Sequence, residues 1–293
     1  MKSMNPMGIH FIGLGKMGLP MASHLLQAGH RLTVSDVAND RLELASQLGL
    51  ETAHLHEALP NAEVVFSSLP HDEALIHVAN DLARYGSKDS IWVDTSTVSI
   101  GASADAATRC APKVSSIRAT VSGNNHMAQA AQLTVMASGP RQAYEKVLPL
   151  LQCFGPHHFY LGQLEEARLM KLVINLMIAQ TSAMLAEGLT LGSKGGLSWS
   201  DMWAVLNSSA VASPILKAKS VQLKERDFTP TFTVDQMLKD LNLILDAGSK
   251  VQVPLTQTAM TREMFHAAQA QGLAHQDYAS IIQVIENAAQ LRS

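Results

Sequence analysis

Along the first half of the chain, short runs of consecutive apolar residues alternate with stretches whose apolar positions recur at helical spacing. The runs at 8–13, 31–36, 63–69, 90–94, 114–121, 133–137 and 158–161 are predicted as strands. Val64-Val65-Phe66 is typical: it is apolar on both faces, as a strand must be when helices cover both sides of a parallel sheet. The segments between the first five runs are each long enough for the crossover helix that parallel pairing requires. After Gly162 the strand signal fades. A helical pattern without proline runs over 163–193 and stops at Gly195-Gly196. Further helices are predicted at 200–207, 213–223, 234–248, 254–271 and 278–291. The pattern predicts a doubly wound α/β domain with a parallel sheet over 1–161. An all-helical domain over 162–293 follows, joined through one long helix.

Composition agrees with two domains. The chain has 293 residues, 47% of them hydrophobic and 16% charged, so it can bury sizeable cores and is not a disordered chain. A formal charge of −3 gives no electrostatic reason to expect nucleic acid or an anionic membrane as a partner. Cys110 and Cys153 have no metal or redox spacing and read as unpaired thiols in a reducing compartment, so a cytoplasmic protein is expected. The run Ile9 to Ile12 is too short for a signal peptide. The most apolar later run, Leu172 to Ala179, is broken by Asn175 and flanked by Lys171, and it reads as too short and too polar to span a bilayer. The histidine pairs His54/His56 and His157/His158 lack carboxylate or cysteine partners at site-like spacing, so no metal is expected.

The first predicted strand ends in Gly13-Leu14-Gly15-Lys16-Met17-Gly18, with glycines in the order Gly-x-Gly-x-x-Gly before a predicted helix. In that context the spacing has a physical meaning. Gly13 permits a tight turn, Gly15 lets the backbone approach a pyrophosphate, and Gly18 lets helix and strand pack closely. The helix N-terminus offers unpaired N–H groups and a partial positive charge to phosphates. Asp36, closing the second predicted strand, stands where an acid grips the adenosine ribose hydroxyls. A carboxylate there repels a 2′-phosphate, so NAD is expected rather than NADP, although Arg41 nearby keeps NADP as the alternative.

The predicted long helix carries Lys171 and Asn175 among apolar neighbours, four residues apart and therefore on one face. Its apolar residues surround the pair on nearly every side, so the helix is expected to be buried from several directions. A lysine so placed can act as a general acid or base near neutral pH. A second basic-acidic pair, Lys239-Asp240, lies on a later predicted helix.

Together these pieces resemble the β-hydroxyacid dehydrogenase family, typified by 3-hydroxyisobutyrate dehydrogenase. The matching residues occur in order: Gly13 through Met21, Leu69-Pro70, Asp94-Thr95-Ser96-Thr97, Val121-Ser122-Gly123, Gly162 with Lys171 and Asn175, and Lys239-Asp240. The resemblance implies a Rossmann-type domain, a helical domain like that of 6-phosphogluconate dehydrogenase, an NAD(P) cofactor and a homodimer or homotetramer. It also implies roles. Lys171 would exchange a proton with the reacting oxygen, and Asn175 would hold substrate and lysine in line. Ser122 and Gly123 would bind the substrate carboxylate, with Asn124, Thr95 and Ser96 beside them. Leu69, Pro70 and Thr97 would line the nicotinamide half, and Lys239, positioned by Asp240, would close over the cofactor. The substrate would be a small hydroxyacid or semialdehyde. The alternatives are an imine reductase of the same architecture, which characteristically lacks the lysine, and a non-catalytic dinucleotide-binding scaffold.

The substrate loop departs from the family's usual Asp-Ala-Pro-Val-Ser-Gly-Gly. It reads Arg118-Ala119-Thr120-Val121-Ser122-Gly123-Asn124. Asn124 adds donors and an acceptor next to the expected carboxylate anchor, which predicts a more polar or differently shaped substrate than 3-hydroxyisobutyrate.

Overall fold

The computed structural model describes residues 6–291. The chain divides into two compact units, Met1–Lys171 and Leu172–Ser293.

In the first unit eight strands form one sheet: β1 (Gly8–Ile12), β2 (Arg31–Ser35), β3 (Glu51–Thr52), β4 (Val64–Ser67), β5 (Ile91–Asp94), β6 (Ser115–Ser122), β7 (Thr134–Ser138) and β8 (His157–Gly162). Their order is β3-β2-β1-β4-β5-β6-β7-β8. Successive residues of the central strands enter different cores, as a period of two demands. Phe11, Val64, Phe66 and Val93 join one apolar cluster, and Ile12, Val65 and Trp92 join another on the opposite face. The continuous apolar runs of the sequence are therefore two interleaved core faces.

Two features correct the expectation of seven parallel strands. Glu51–Thr52 adds a two-residue edge strand paired with β2. The pair β6–β7 is antiparallel, with Arg118 opposite Ser138 and Ser122 opposite Thr134, while β8 runs parallel to β7. The connection over 123–133 holds only the short helix Asn125–Gln129. That is less chain than the dozen or so residues a parallel crossover takes, so β7 must return.

The long helix spans Glu166–Lys194. The boundary between the two compact units falls within it, after Lys171. The reason is local: the opening residues of this segment are pinned to the sheet of the first unit. Thr120 donates its hydroxyl to the Ala167 carbonyl at 2.9 Å, and the Arg118 guanidinium donates through Nε to Glu165 at 2.8 Å. The apolar run read at 172–179 sits inside this longer helix. Its most apolar 18-residue window has a mean hydropathy of 1.5, enough by length and composition for a crossing; a core helix passes the same test, and 39% of that window is buried.

In the second unit the helices Trp199–Ser208, Pro214–Glu225, Val234–Lys250, Thr256–Ala270 and Ile281–Ala288 pack around Trp203, Leu241 and Phe265. Three of them start where a hydroxyl can cap the first turn. Ser198, Ser213 and Thr233 accept from the N–H groups of Asp201, Leu216 and Gln236, and Gln236 closes a capping box on Thr233. A buried ion pair braces this unit. Lys219 donates to Asp277 at 2.6 Å, and Asp277 also accepts from the Thr231 hydroxyl and from the N–H groups of Thr231 and Ala279. Burial opposes the Asp277 charge, but Lys219 and these donors outweigh it and hold the carboxyl below its ordinary range.

Candidate functional site

In the first unit the strand order reverses between β1 and β4, the two strands on either side of the glycine loop's entry. Ligands of open α/β sheets bind at the carboxyl ends of strands at such a point. There the structure gathers Gly13 after β1, Asp36 after β2, Leu69-Pro70 after β4 and Thr95-Ser96-Thr97 after β5.

The glycines divide the work as their spacing predicts. Gly13 has φ +90, and a Cβ on it would lie 2.3 Å from the Ser68 carbonyl oxygen. A Cβ on Gly18 would lie 1.9 Å from the Gly13 carbonyl oxygen, so the helix Gly18–Gln27 sits directly on the turn. A Cβ on Gly15 would meet nothing within 4 Å. The loop is thus closed at Gly13 and Gly18 and open at Gly15, where a pyrophosphate would approach. Met17 at the head of that helix gives no side-chain cap, and no acid occupies the first turn, so the helix end is left to an anion. Gly15 and Lys16 are exposed on the loop. Leu14 contributes differently: its side chain is buried in the core, and its N–H donates to Asp36 Oδ2 at 2.6 Å. With Oδ1 accepting from the Ala38 N–H at 2.9 Å, the Asp36 carboxylate is fixed, yet keeps lone pairs for ribose hydroxyls. These residues fit a dinucleotide.

The loops after β4 and β5 are tied together beneath the surface. Thr95 donates both its N–H and its hydroxyl to the Ser67 carbonyl at 2.8 Å. Ser96 Oγ donates to Asp94 Oδ1 at 2.7 Å and accepts from the Leu69 N–H at 2.8 Å. Thr95 and Ser96, expected beside the substrate, are buried with their hydroxyls bonded inside the domain, Thr95 to the Ser67 carbonyl and Ser96 to Asp94 and the Leu69 N–H. Thr97 is half-buried at the end of the same loop. Arg168, which the sequence pattern did not single out, lies buried in this cluster against Asp94.

At the end of β6 the half-buried Ser122 is followed by Gly123 at φ +139, whose added Cβ would lie 2.6 Å from Leu133 Cδ2. Asn124 then caps the helix Asn125–Gln129, its Oδ1 accepting from the Met127 N–H at 3.0 Å. One lone pair of the Asn124 acceptor is therefore engaged by the backbone, which orients the side-chain amide. Arg118 is likewise explained by structure: it is buried and paired with Glu165.

Lys171 is half-buried. The expectation of a helix buried from several directions holds on one side only, because Leu169, Met170, Val173 and Met177 are exposed. In the second unit Asn175 is buried and donates its amide to Asp240 Oδ2 at 2.5 Å. Asp240 is 1% exposed, and Lys239 Nζ lies 3.3 Å from its other oxygen. Asp240 thus holds Asn175 as well as the lysine it was expected to position.

Comparison with known proteins covers both halves. Residues 8–162 match the NAD binding domain of 6-phosphogluconate dehydrogenase, and residues 166–285 match the NAD-binding domain of NADP-dependent 3-hydroxyisobutyrate dehydrogenase. The chain is 31% identical to 2-(hydroxymethyl)glutarate dehydrogenase of Eubacterium barkeri, over 95% of this chain and 94% of that one. It is 28% identical to the chloroplastic glyoxylate/succinic semialdehyde reductase 2 of Arabidopsis thaliana, over 96% of this chain and 80% of that one. In fold it is similar to a 3-hydroxyisobutyrate dehydrogenase of Mycobacterium tuberculosis solved with L-serine, with a TM-score of 0.87 at 24% identity, covering 96% of this chain and 99% of that one. A glycine cradle built for a dinucleotide, the ordered motifs in both halves and these matches place the chain in the 3-hydroxyisobutyrate dehydrogenase-like family of NAD(P)-dependent hydroxyacid dehydrogenases.

Proposed function

We propose that the protein moves a hydride between a nicotinamide cofactor and the β-carbon hydroxyl or carbonyl of a small carboxylic acid, with Lys171 as the general acid and base. The observation that carries this is the glycine cradle, open only at Gly15 and backed by a fixed Asp36, in a chain that keeps Lys171 one helical turn from Asn175. When bound, the nicotinamide supplies or accepts the hydride. The chain's own residues do the rest. The Ser122 hydroxyl and the turn at Gly123 anchor the substrate carboxylate. The Lys171 ammonium gives a proton to the carbonyl oxygen during reduction, and its amine takes the hydroxyl proton during oxidation. Asn175, held by Asp240, keeps the reacting oxygen in line with the lysine. Fixing both ends of the substrate makes the transfer a positioned step. Lys171 separates this reading from an imine reductase. Asp36 supports NAD over NADP.

The substrate is a small hydroxyacid or semialdehyde with a polar group that the Asn124 amide can contact. The names of the two relatives, a hydroxymethyl diacid dehydrogenase and a semialdehyde reductase, support that class. The buried, unpaired Cys110, its thiol pushed up to about 12 by burial, supports a cytoplasmic setting. A homo-oligomer is supported by the exposed apolar positions of the long helix.

The test is NADH oxidation and NAD reduction across a panel of small hydroxyacids and semialdehydes, with Lys171→Ala and Asn124→Gly beside the wild type. Turnover lost in Lys171→Ala with cofactor still bound is expected, as is a changed substrate ranking in Asn124→Gly. Equal turnover by wild type and Lys171→Ala refutes the assigned role of the lysine. Cofactor binding without turnover of any substrate favours the scaffold reading.

A further inference from the structure

Arg168 lies one turn before Lys171 on the long helix and is 2% exposed. Each arm of its guanidinium is used. Nε donates to Ser103 Oγ at 3.1 Å, one terminal nitrogen donates to the Ser96 carbonyl, and the other donates to the Asp94 carboxylate. The Asp94 carboxylate in turn accepts from the Ser67 hydroxyl, the Ser96 hydroxyl and the Ser96 N–H. Trp92 Nε1 donates to Ser67 Oγ at 2.8 Å. The last link is Ser96 Oγ, which accepts from the Leu69 N–H at 2.8 Å. An unbroken hydrogen-bonded path therefore runs from the turn carrying Lys171, through Arg168 and Asp94, to the backbone of Leu69, next to Pro70.

Burying such an ion pair adds little net stability compared with apolar residues of the same volume. What it supplies is geometry, because a fully satisfied polar network admits one arrangement of its members. Here the members are the loop after β4, the loop after β5 and the first turn of the long helix. The adenosine half of the site is built from other residues, Gly13, Gly15, Gly18 and Asp36, with the Asp36 carboxylate accepting from the N–H groups of Leu14 and Ala38.

We propose that Arg168 is a positioning residue that sets the nicotinamide-side loops and the Lys171 turn in one register. It acts through Asp94 and Ser96 and touches neither substrate nor cofactor. The proposal rests on the dehydrogenase reading for the role of Lys171, but the part concerning the nicotinamide-side loops stands on nucleotide binding alone.

The experiment compares wild type, Ser96→Ala, Arg168→Lys and Arg168→Met. Thermal melts establish folding. Calorimetry measures the affinity for NADH and for ADP-ribose, which lacks the nicotinamide. Steady-state kinetics give kcat, KM and the primary isotope effect with 4-deuterated NADH. In the folded variants ADP-ribose affinity is expected to stay within twofold while NADH affinity falls fivefold or more. The kcat value is expected to fall at least tenfold, with a larger isotope effect as hydride transfer becomes limiting. Ser96→Ala keeps the buried charge pair and so retains a test if the Arg168 variants do not fold. Loss of NADH and ADP-ribose affinity in parallel, or unchanged kcat and NADH affinity in folded variants, overturns the proposal. If the wild type turns over no substrate, the dehydrogenase reading fails, while the split between the two nucleotides still decides whether the network positions the nicotinamide side.

Discussion

Asn175 and Asp240 are joined side chain to side chain at 2.5 Å, across 65 residues of sequence, and both are buried. Asp240→Ala is therefore expected to leave a buried amide without its acceptor, at a cost of about 1–3 kcal/mol. Thermal melts should show that loss, and kcat should fall more than tenfold as Asn175 swings out of line. Lys239→Ala, by contrast, is expected to lower the melting temperature less than Asp240→Ala, because the lysine side chain is 37% exposed, and to raise the KM for cofactor. Equal melting losses in the two variants would refute this division of roles.

The glycine loop separates folding from binding. Gly15→Ala places a methyl group in open space and is expected to melt like the wild type while losing NADH affinity. Gly18→Ala drives a methyl group into the Gly13 carbonyl and is expected to cost roughly 1–3 kcal/mol of stability or more. Differential scanning fluorimetry with and without NADH distinguishes the two.

His10 is fully buried between Thr33 Oγ1 and Ser35 Oγ, each at 2.9 Å, and burial lowers its pKa to about 4. The fold thus refuses a proton that the unfolded chain takes up below its ordinary value of about 6.5. Stability from this group is complete above pH 6.5 and declines as the pH falls toward 4, by up to about 3 kcal/mol. Urea denaturation at pH 7 and pH 4.5 should show a steeper acid loss for wild type than for His10→Gln. Parallel losses would remove His10 as the cause.

Met170, Met177, Met184 and Leu191 recur every seven residues on the long helix, and each is exposed. Ile174, Thr181 and Gly188 fall between them at the same seven-residue spacing, completing a seam of apolar and small residues with the spacing of a left-handed helix pair. Light scattering is expected to show a homo-oligomer that Met177→Glu or Leu191→Glu dissociates. A wild type that is monomeric without detergent would sink this assignment, and one that needs detergent would point to lipid on the same face.

How legible was all this in the sequence? The strands were readable wherever side chains carried them, as in Val64-Val65-Phe66. Glu51 and Thr52 pair through backbone alone and are exposed, so no hydrophobic signal marks them. The reversal at β7 left a trace in the shortness of 123–133. The glycine loop was legible because one local segment performs the whole task. The Arg168 network was not, since its partner Asp94 lies 74 residues away and only the fold brings them together. Arg118, read as a departure from a motif, is explained by Glu165, 47 residues on. The uncovered side of the long helix was invisible for another reason: an apolar run does not say whether its own chain or another surface hides it.

β5 ends at Asp94, opposite Arg118, yet β6 continues to Ser122 with only β7 beside it. Those last four residues, 119–122, extend the strand by about 13 Å at some 3.3 Å per residue, with Ala119 and Val121 in the core and Thr120 bonded to the Ala167 carbonyl. Its length is quantised. Adding or removing one residue would turn Ser122 to the opposite face, whereas a change of two would preserve the face and displace the hydroxyl by nearly 7 Å. On the proposed role of Ser122 as carboxylate anchor, reach toward longer or shorter acids changes here in steps of two residues, and finer adjustment falls to the turn at Gly123 and Asn124.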